Sequence, residues 1–208
     1  MTHNPVILIG NGGHARVLMD TLLNQRRVIV GYTAPEKEHN PYDLKYLGPD
    51  KNILNYNPKE VELVNALGST ISTATRKNLF EEMKIAGYTF ANVIHPRAYL
   101  AHQVQIGEGV QIMAGAIIQP YSIISDNSII NTNVSIDHDC KIGAHCHIAP
   151  GTTISGMVHI DESTHVGTGS NIIQGVQVGS HVLIGAGSLV LRNIKSGLTV
   201  YGAPAKEV

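Results

Sequence analysis

The chain has 208 residues, 43% of them hydrophobic, and a formal net charge of −1, enough for one large domain or two small ones with a sizeable core. No basic run is present to neutralise phosphates, so a nucleic-acid partner is not expected, and no apolar stretch reaches the length of a membrane span. The two cysteines, Cys140 and Cys146, form no disulfide framework, and the opening "MTHNPVILIG" lacks the charged-then-apolar pattern of a leader, so the expectation is a cytoplasmic protein with reduced thiols.

Residues 1–95 alternate strand and helix signals. Val6–Gly10 is a continuous apolar run, as in a buried parallel strand. His14–Leu23 places Val17, Leu18, Thr21 and Leu22 at helical spacing. Arg27–Tyr32 reads as a second strand, residues 33–58 as a long polar loop, and Val61–Gly68 as a third strand. Thr75–Gly87 is amphipathic and closes on a glycine, as a helix should. Tyr88–Ile94 is a fourth strand, stopped by His95-Pro96. This alternation predicts a small Rossmann-like α/β domain with a parallel sheet over 1–95.

Over residues 96–208 the pattern changes. Written in sixes from Val104, the chain gives fifteen hexads whose third residue is always Ile or Val, from Ile106 to Val190. The first residue is always Val, Ala, Ser, Thr or Cys, and Ala98–Gln103 adds one more hexad around Leu100. Such a period means a solenoid. Each hexad is a short strand and a turn, with the first and third residues inward. Three hexads make a triangular coil, giving about five coils and roughly 25 Å of length at the strand spacing. Cys140 and Cys146 stand at first positions, so small inward packing residues are the simpler reading.

The stretch "NVSIDHDC" (Asn133–Cys140) is the most reactive-looking text in the second half. Its histidine between two aspartates, with a cysteine two residues on, fits a metal ligand set, a thiol nucleophile, a general base with an orienting carboxylate, or a solvated turn. In the hexad register Val134, Ile136 and Cys140 are core, which leaves Asp137-His138-Asp139 at a corner. His147 and His165 stand eighteen apart and are expected to stack, facing outward, as a surface column. No CxxC or HExxH spacing supports zinc, and no metal is expected.

The hexads, together with the tail "IGAGSLVLRNIKSGLTVYGAPAKEV", resemble the left-handed β-helix acyltransferases. The opening "ILIGNGGHARVLMDTL" and the segment "NTNVSIDHDCKIGAHCHIAPG" resemble the sugar acetyltransferases of the PglD/NeuD type. The resemblance covers essentially the whole chain. It implies an N-terminal Rossmann-like domain followed by an all-β left-handed parallel β-helix, assembled as a homotrimer with active sites between neighbouring β-helices. It further implies that acetyl-CoA acetylates a nucleotide-linked amino sugar, a 4-amino-4,6-dideoxyhexose, in surface-glycan biosynthesis. His138 is then the general base and Asp139 its acidic partner. Asn131 matches a position near the acceptor sugar. His147, Gly156, Thr168 and Ala186 match positions along the acetyl-CoA cleft, where small residues leave room for a pantetheine arm.

The loop "GNGGHA" (Gly10–Ala15) also satisfies G-x-G-x-x-A, whose amides can cradle phosphates. The dinucleotide reading wants an acid at the end of the second strand, some twenty residues on, where this chain has "VGYTAPEKE"; NAD is disfavoured. The resemblance instead implies that Gly12, Gly13 and His14 hold a nucleotide-sugar. It adds Gly68 after the third strand, with Arg76 as a weaker candidate. Members that use UDP-sugars carry an acidic pair where this chain has Tyr32-Thr33-Ala34, so dTDP and UDP both stay open. Two other functions also remain: O-acetylation of sialic acid or another sugar hydroxyl, and a non-catalytic β-helix serving as a scaffold or binding metal at His147 and His165.

Overall fold

A computed structural model of the protein describes residues 4–70 and 72–208. The chain divides into two compact units, Met1–Gly68 with Thr75–Val93, and Ser69–Ala74 with Ile94–Val208.

In the first unit, β1 (Val6–Ile9), β2 (Ile29–Thr33) and β3 (Glu62–Asn65) form a parallel sheet in the order β2-β1-β3. All four residues of β1 are buried, because a central parallel strand is covered on both faces. Helix α1 (Gly13–Asn24) turns Ala15, Leu18, Met19 and Leu22 inward at three- and four-residue spacing. Helix α2 (Ala74–Ile85) contributes Leu79, Phe80 and Met83 to a cluster with Ile7, Ile9, Leu63 and Phe90.

The later elements depart from the sequence expectation. The third strand stops at Asn65 instead of Gly68. Past that point the carbonyls of Asn65 and Leu67 accept hydrogen bonds from the Arg76 guanidinium, and Asn65 Nδ2 donates to Arg76 O at 2.9 Å. The expected fourth strand, Tyr88–Ile94, is reduced to a single bridge from Phe90 to Leu63 and a two-residue strand, Val93–Ile94. Within the loop 33–58 a 3-10 helix, Asp50–Asn55, is pinned by buried Ile53.

The second unit is a parallel β-solenoid of about six turns with three sheets. Each rung pairs with the rung eighteen residues on, as Ile130 with Ile148 and Ile148 with Val166. The third-position aliphatics from Ile112 to Val190 are buried and form one continuous core with the first-position residues. The sequence count of five coils falls short because three end rungs lie outside the hexad run. Ile94 packs at the front. At the back Ile194 pairs with Val178 and Val200 with Ile184, two residues short of the usual eighteen.

The backbone explains the rest of the hexad. Every sixth residue from Gly109 to Gly187 has φ between +55° and +73°. That left-handed corner suits Gly, Asn and Asp and disfavours bulkier residues. The polar first-position residues form a ladder of their own. Ser122 Oγ donates to Asp137 O at 2.8 Å and Ser128 Oγ to Gly143 O at 2.8 Å, and Thr164 and Ser170 repeat the pattern. Cys140 Sγ and Cys146 Sγ occupy the same rungs, donating to Ser155 O and Asp161 O. Their thiols thus stand in for hydroxyls. Burial pushes the Cys140 and Cys146 pKa values up to about 11 and about 12, so neither supplies a thiolate nucleophile.

Candidate active site

His138 lies at the corner between the strands Ser135–Ile136 and Lys141–Ile142. Its backbone N–H is held by Asp137 Oδ1 at 2.8 Å, and its Nδ1 pairs with Asp139 Oδ2 at 2.7 Å. Asp139 takes the left-handed corner conformation, φ +58°, next to the ring it holds. The side chains of His138 and Asp139 are about half exposed, at 49% and 54%. The hydrogen bond to Asp139, helped by the charges of Asp137 and Asp139, holds the His138 pKa above its ordinary value against a smaller desolvation effect. With Nδ1 engaged, Nε2 is the nitrogen left to exchange a proton.

The ring of His138 rests over Gly156, one coil further on. A Cβ at Gly156 would come within 2.7 Å of both Cε1 and Nε2. Glycine at 156 therefore provides the space the imidazole occupies. Gly156→Ala is expected to displace the ring by a few tenths of an ångström or more and to lower kcat about 10- to 100-fold. A steady-state assay beside an unchanged circular-dichroism spectrum checks this.

A second site lies along a different corner. A cleft of about 440 Å³ is lined by Ser69, His147, His165, Thr168, Ala186 and Tyr201, among others. Three of the residues expected along a cofactor path, His147, Thr168 and Ala186, thus come together here, while Gly156 lies apart, under His138. Asn131 is on the cleft side too: its Nδ2 meets His147 Nε2 at 3.1 Å. His147 and His165 stack as expected, ring centroids 4.9 Å apart and edge to face. They are not a surface column, however. Only 7% and 6% of their surface is exposed, because the preceding segment covers them: Ser69 Oγ and Ser69 O both meet His147 Nδ1, at 2.8 and 3.0 Å. Burial lowers the His165 pKa. Among the described residues no group of three His, Cys, Asp or Glu side chains is placed to hold a metal ion.

In the first unit Gly12 caps α1 with φ −77° and no side-chain cap, followed by Gly13 and His14. A Cβ at Gly12 or Gly13 would meet nothing within 4 Å. Gly10 differs, with φ +115° and Leu67 and Ala66 within 3.4 Å of a would-be Cβ. Gly68 makes room for His14, whose Cβ lies 3.2 Å from where its own would be. Arg76 is 1% exposed and is used inside the fold; burial lowers its pKa to about 9. The end of β2 lacks an acid in sequence, yet a carboxylate reaches it: Thr33 Oγ1 donates to Asp50 Oδ1 at 2.7 Å. Asp50 and Ser69 are the polar groups that sequence reasoning missed, since both arrive from distant segments without a local motif.

Comparisons with known proteins place the fold. Residues 5–83 match the PglD N-terminal domain, and residues 121–156 match the bacterial transferase hexapeptide of six repeats. PerB from Caulobacter crescentus, solved with CoA and GDP-perosamine, is 32% identical at a TM-score of 0.89, over 99% of this chain and 97% of that one. The chain belongs to the PglD-like hexapeptide-repeat sugar acetyltransferases. The solenoid of this family member is accordingly a left-handed β-helix. The acetyltransferase domain of PglB from Neisseria gonorrhoeae, solved with acetyl coenzyme A, is 30% identical at a TM-score of 0.92, covering 99% of this chain and 100% of that one. A histidine-to-asparagine variant of perosamine N-acetyltransferase from Caulobacter crescentus, with CoA and GDP-perosamine, matches at 30% identity and a TM-score of 0.92, over 99% and 97%. No curated protein matches by sequence.

Proposed function

We propose that the protein transfers the acetyl group of acetyl-CoA to the amine of a nucleotide-linked 4-amino-4,6-dideoxyhexose, a precursor of a surface glycan, with His138 as general base. The observation that carries the reading is the His138–Asp139 pair, seated on Gly156 at an exposed corner with Nε2 left to act. The relatives solved with CoA, acetyl coenzyme A and GDP-perosamine support the substrate classes.

In the reaction the sugar amine attacks the thioester carbonyl. The C–N bond forms, the C–S bond breaks, and CoA leaves as its thiol. Nε2 of His138 takes the ammonium proton and returns it to the departing sulfur, while Asp139 on Nδ1 steadies the imidazolium between the two events. His147, Thr168 and Ala186 border the cleft for the acyl donor. A pantetheine arm suits such a channel, which offers few bulky side chains. Juxtaposing two bound substrates supplies much of the acceleration.

His138 and this cleft occupy different corners of the same solenoid. A homotrimer, in which His138 of one copy faces the cleft of a second, joins the two half-sites. Gly12 and Gly13 need neither a positive φ nor close packing, so the open approach to their amides is the better account of them. That supports phosphate binding ahead of α1. The residues after β2 do not choose among pyrimidine and purine nucleotides, and the relatives named with GDP-perosamine widen the set to GDP.

The test is a thermal-shift panel of GDP-, UDP- and dTDP-linked 4-amino sugars with and without CoA, followed by CoA-thiol release from acetyl-CoA. The expected result is stabilisation by sugars on one nucleotide only, rising toward 3 kcal/mol at about one hundred times Kd, and thiol release with that sugar. Thiol release with sialic acid, and none with any amino sugar, would establish O-acetylation instead.

A further inference from the structure

We propose that Asp50 recognises the ribose of the acceptor's nucleotide, so that the protein selects UDP- or GDP-linked sugars over dTDP-linked ones. This deepens the reading above and rests on it for the presence of a nucleotide.

In a βαβ unit whose first turn binds phosphate, the ribose lies over the end of the second strand, where an acid accepts its hydroxyls. That acid ordinarily follows the strand in sequence. Here β2 ends on Tyr32-Thr33 and runs on into Ala34-Pro35, with no acid. The fold supplies one from elsewhere. Residues 45–47 run along β2 as an added edge: Tyr32 N–H donates to Lys45 O and Leu47 N–H to Tyr32 O, both at 2.9 Å. Gly48, with φ +99°, then turns the chain, and a Cβ there would strike Asn52 Nδ2 at 2.1 Å. Ala34 N–H donates to Gly48 O at 3.2 Å and ties this turn to the residue after the strand. Asp50 follows, opening the 3-10 helix, and its Oδ1 accepts from Thr33 Oγ1 at 2.7 Å. A carboxylate seventeen residues beyond the strand end thus stands where a ribose-binding acid belongs.

The position fits the ligand. Gly10 N–H donates to Thr33 O at 2.9 Å. The end of β2 is thereby tied to the start of the glycine loop, whose amides are the proposed phosphate site. Neighbouring strand ends stand about 4.8 Å apart. A nucleotide spans that step, because its ribose hangs from the α-phosphate by one methylene. Thr33 is fully buried and Asp50 only partly. The hydroxyl that aims the carboxylate is out of a ligand's reach, and the carboxylate is not. One hydroxyl donor leaves most of a carboxylate's acceptor sites open, enough for the 2′- and 3′-hydroxyls of a ribose. A dTDP-sugar lacks the first of these.

The test compares nucleotides that differ only at the 2′ position, UDP with dUDP and GDP with dGDP, by equilibrium binding to the full-length protein. The parent is expected to favour the ribose form at least about tenfold, the worth of a hydrogen bond to a charged group. Asp50→Asn, whose amide oxygen can still accept from Thr33, is expected to keep the melting temperature and to cut that preference below about threefold. Asp50→Ala should abolish it. Affinity for CoA should stay unchanged in both. Equal affinity for ribose and deoxyribose forms in the parent overturns the proposal, and that comparison needs no variant to fold. A preference that survives Asp50→Ala overturns it too, as does an Asp50 effect confined to one base with no 2′ dependence. Ribose selection without acetyl transfer counts against the proposed reaction and leaves the role of Asp50 standing. A parent that binds no nucleotide removes both readings.

Discussion

Replacing His138 with alanine lowers kcat by about 10²- to 10⁴-fold, the usual worth of a positioned general base, and leaves the KM for acetyl-CoA nearly unchanged. The separation follows from geometry. His138 touches Gly156 and Asp139, whereas the cleft proposed for the acyl donor is bordered by His147, Thr168 and Ala186 on another corner. The same histidine sets the pH response. A base must be neutral to accept a proton, so the rate rises with pH through the His138 pKa. Asp139 raises that pKa, placing the acid limb above the ordinary histidine value. Asp139→Asn removes the charge and moves the limb to lower pH, at reduced maximal rate because the ring loses its anchor. A full pH profile of kcat for parent and variant checks the direction. Full activity in His138→Ala eliminates the base role.

The largest effect on stability is expected from Ile148→Ala, at about 2–5 kcal/mol. Ile148 is fully buried and sits between Ile130 and Val166 on neighbouring coils. The coil above and the coil below both close on its side chain, and the ladder hydrogen bonds on either side fix their spacing, so the cavity cannot collapse. Denaturant unfolding at fixed protein concentration measures the loss. A cost under about 1 kcal/mol would mean that the column relaxes in a way a regular parallel ladder does not permit.

The solenoid was legible in the sequence because its interior is so narrow. Three aliphatics and three small residues fill one coil, so every sixth position is constrained, and Ile or Val appears at all of them from Ile106 to Val190. The corner place of His138 followed from the same count. What stayed hidden depends on segments that meet across the chain. Ser69 reaches His147 from 78 residues away, which turned an apparent surface column of histidines into a covered pair. Arg76 looked like a ligand residue and serves the backbone of β3. Gly156 matched a cofactor position and lies under the imidazole. The fourth strand failed because Tyr88–Ile94 has strand composition but finds only one ladder contact in the small sheet. The end rungs at Ile194 and Val200 escaped because the final coil drops two residues and leaves the period.

The regular eighteen-residue stacking carries a consequence for how such a chain can change length. Which corner a residue occupies depends only on its count in hexads, modulo three. Losing one hexad between His138 and Thr168 would rotate everything after it by a third of a turn and bring a different corner to the place Thr168 now holds. Losing eighteen residues would shorten the column by one layer and return each later corner to its former direction. Length is therefore free to vary only in whole layers, and chemistry placed at corners tolerates growth and shrinkage in that unit alone.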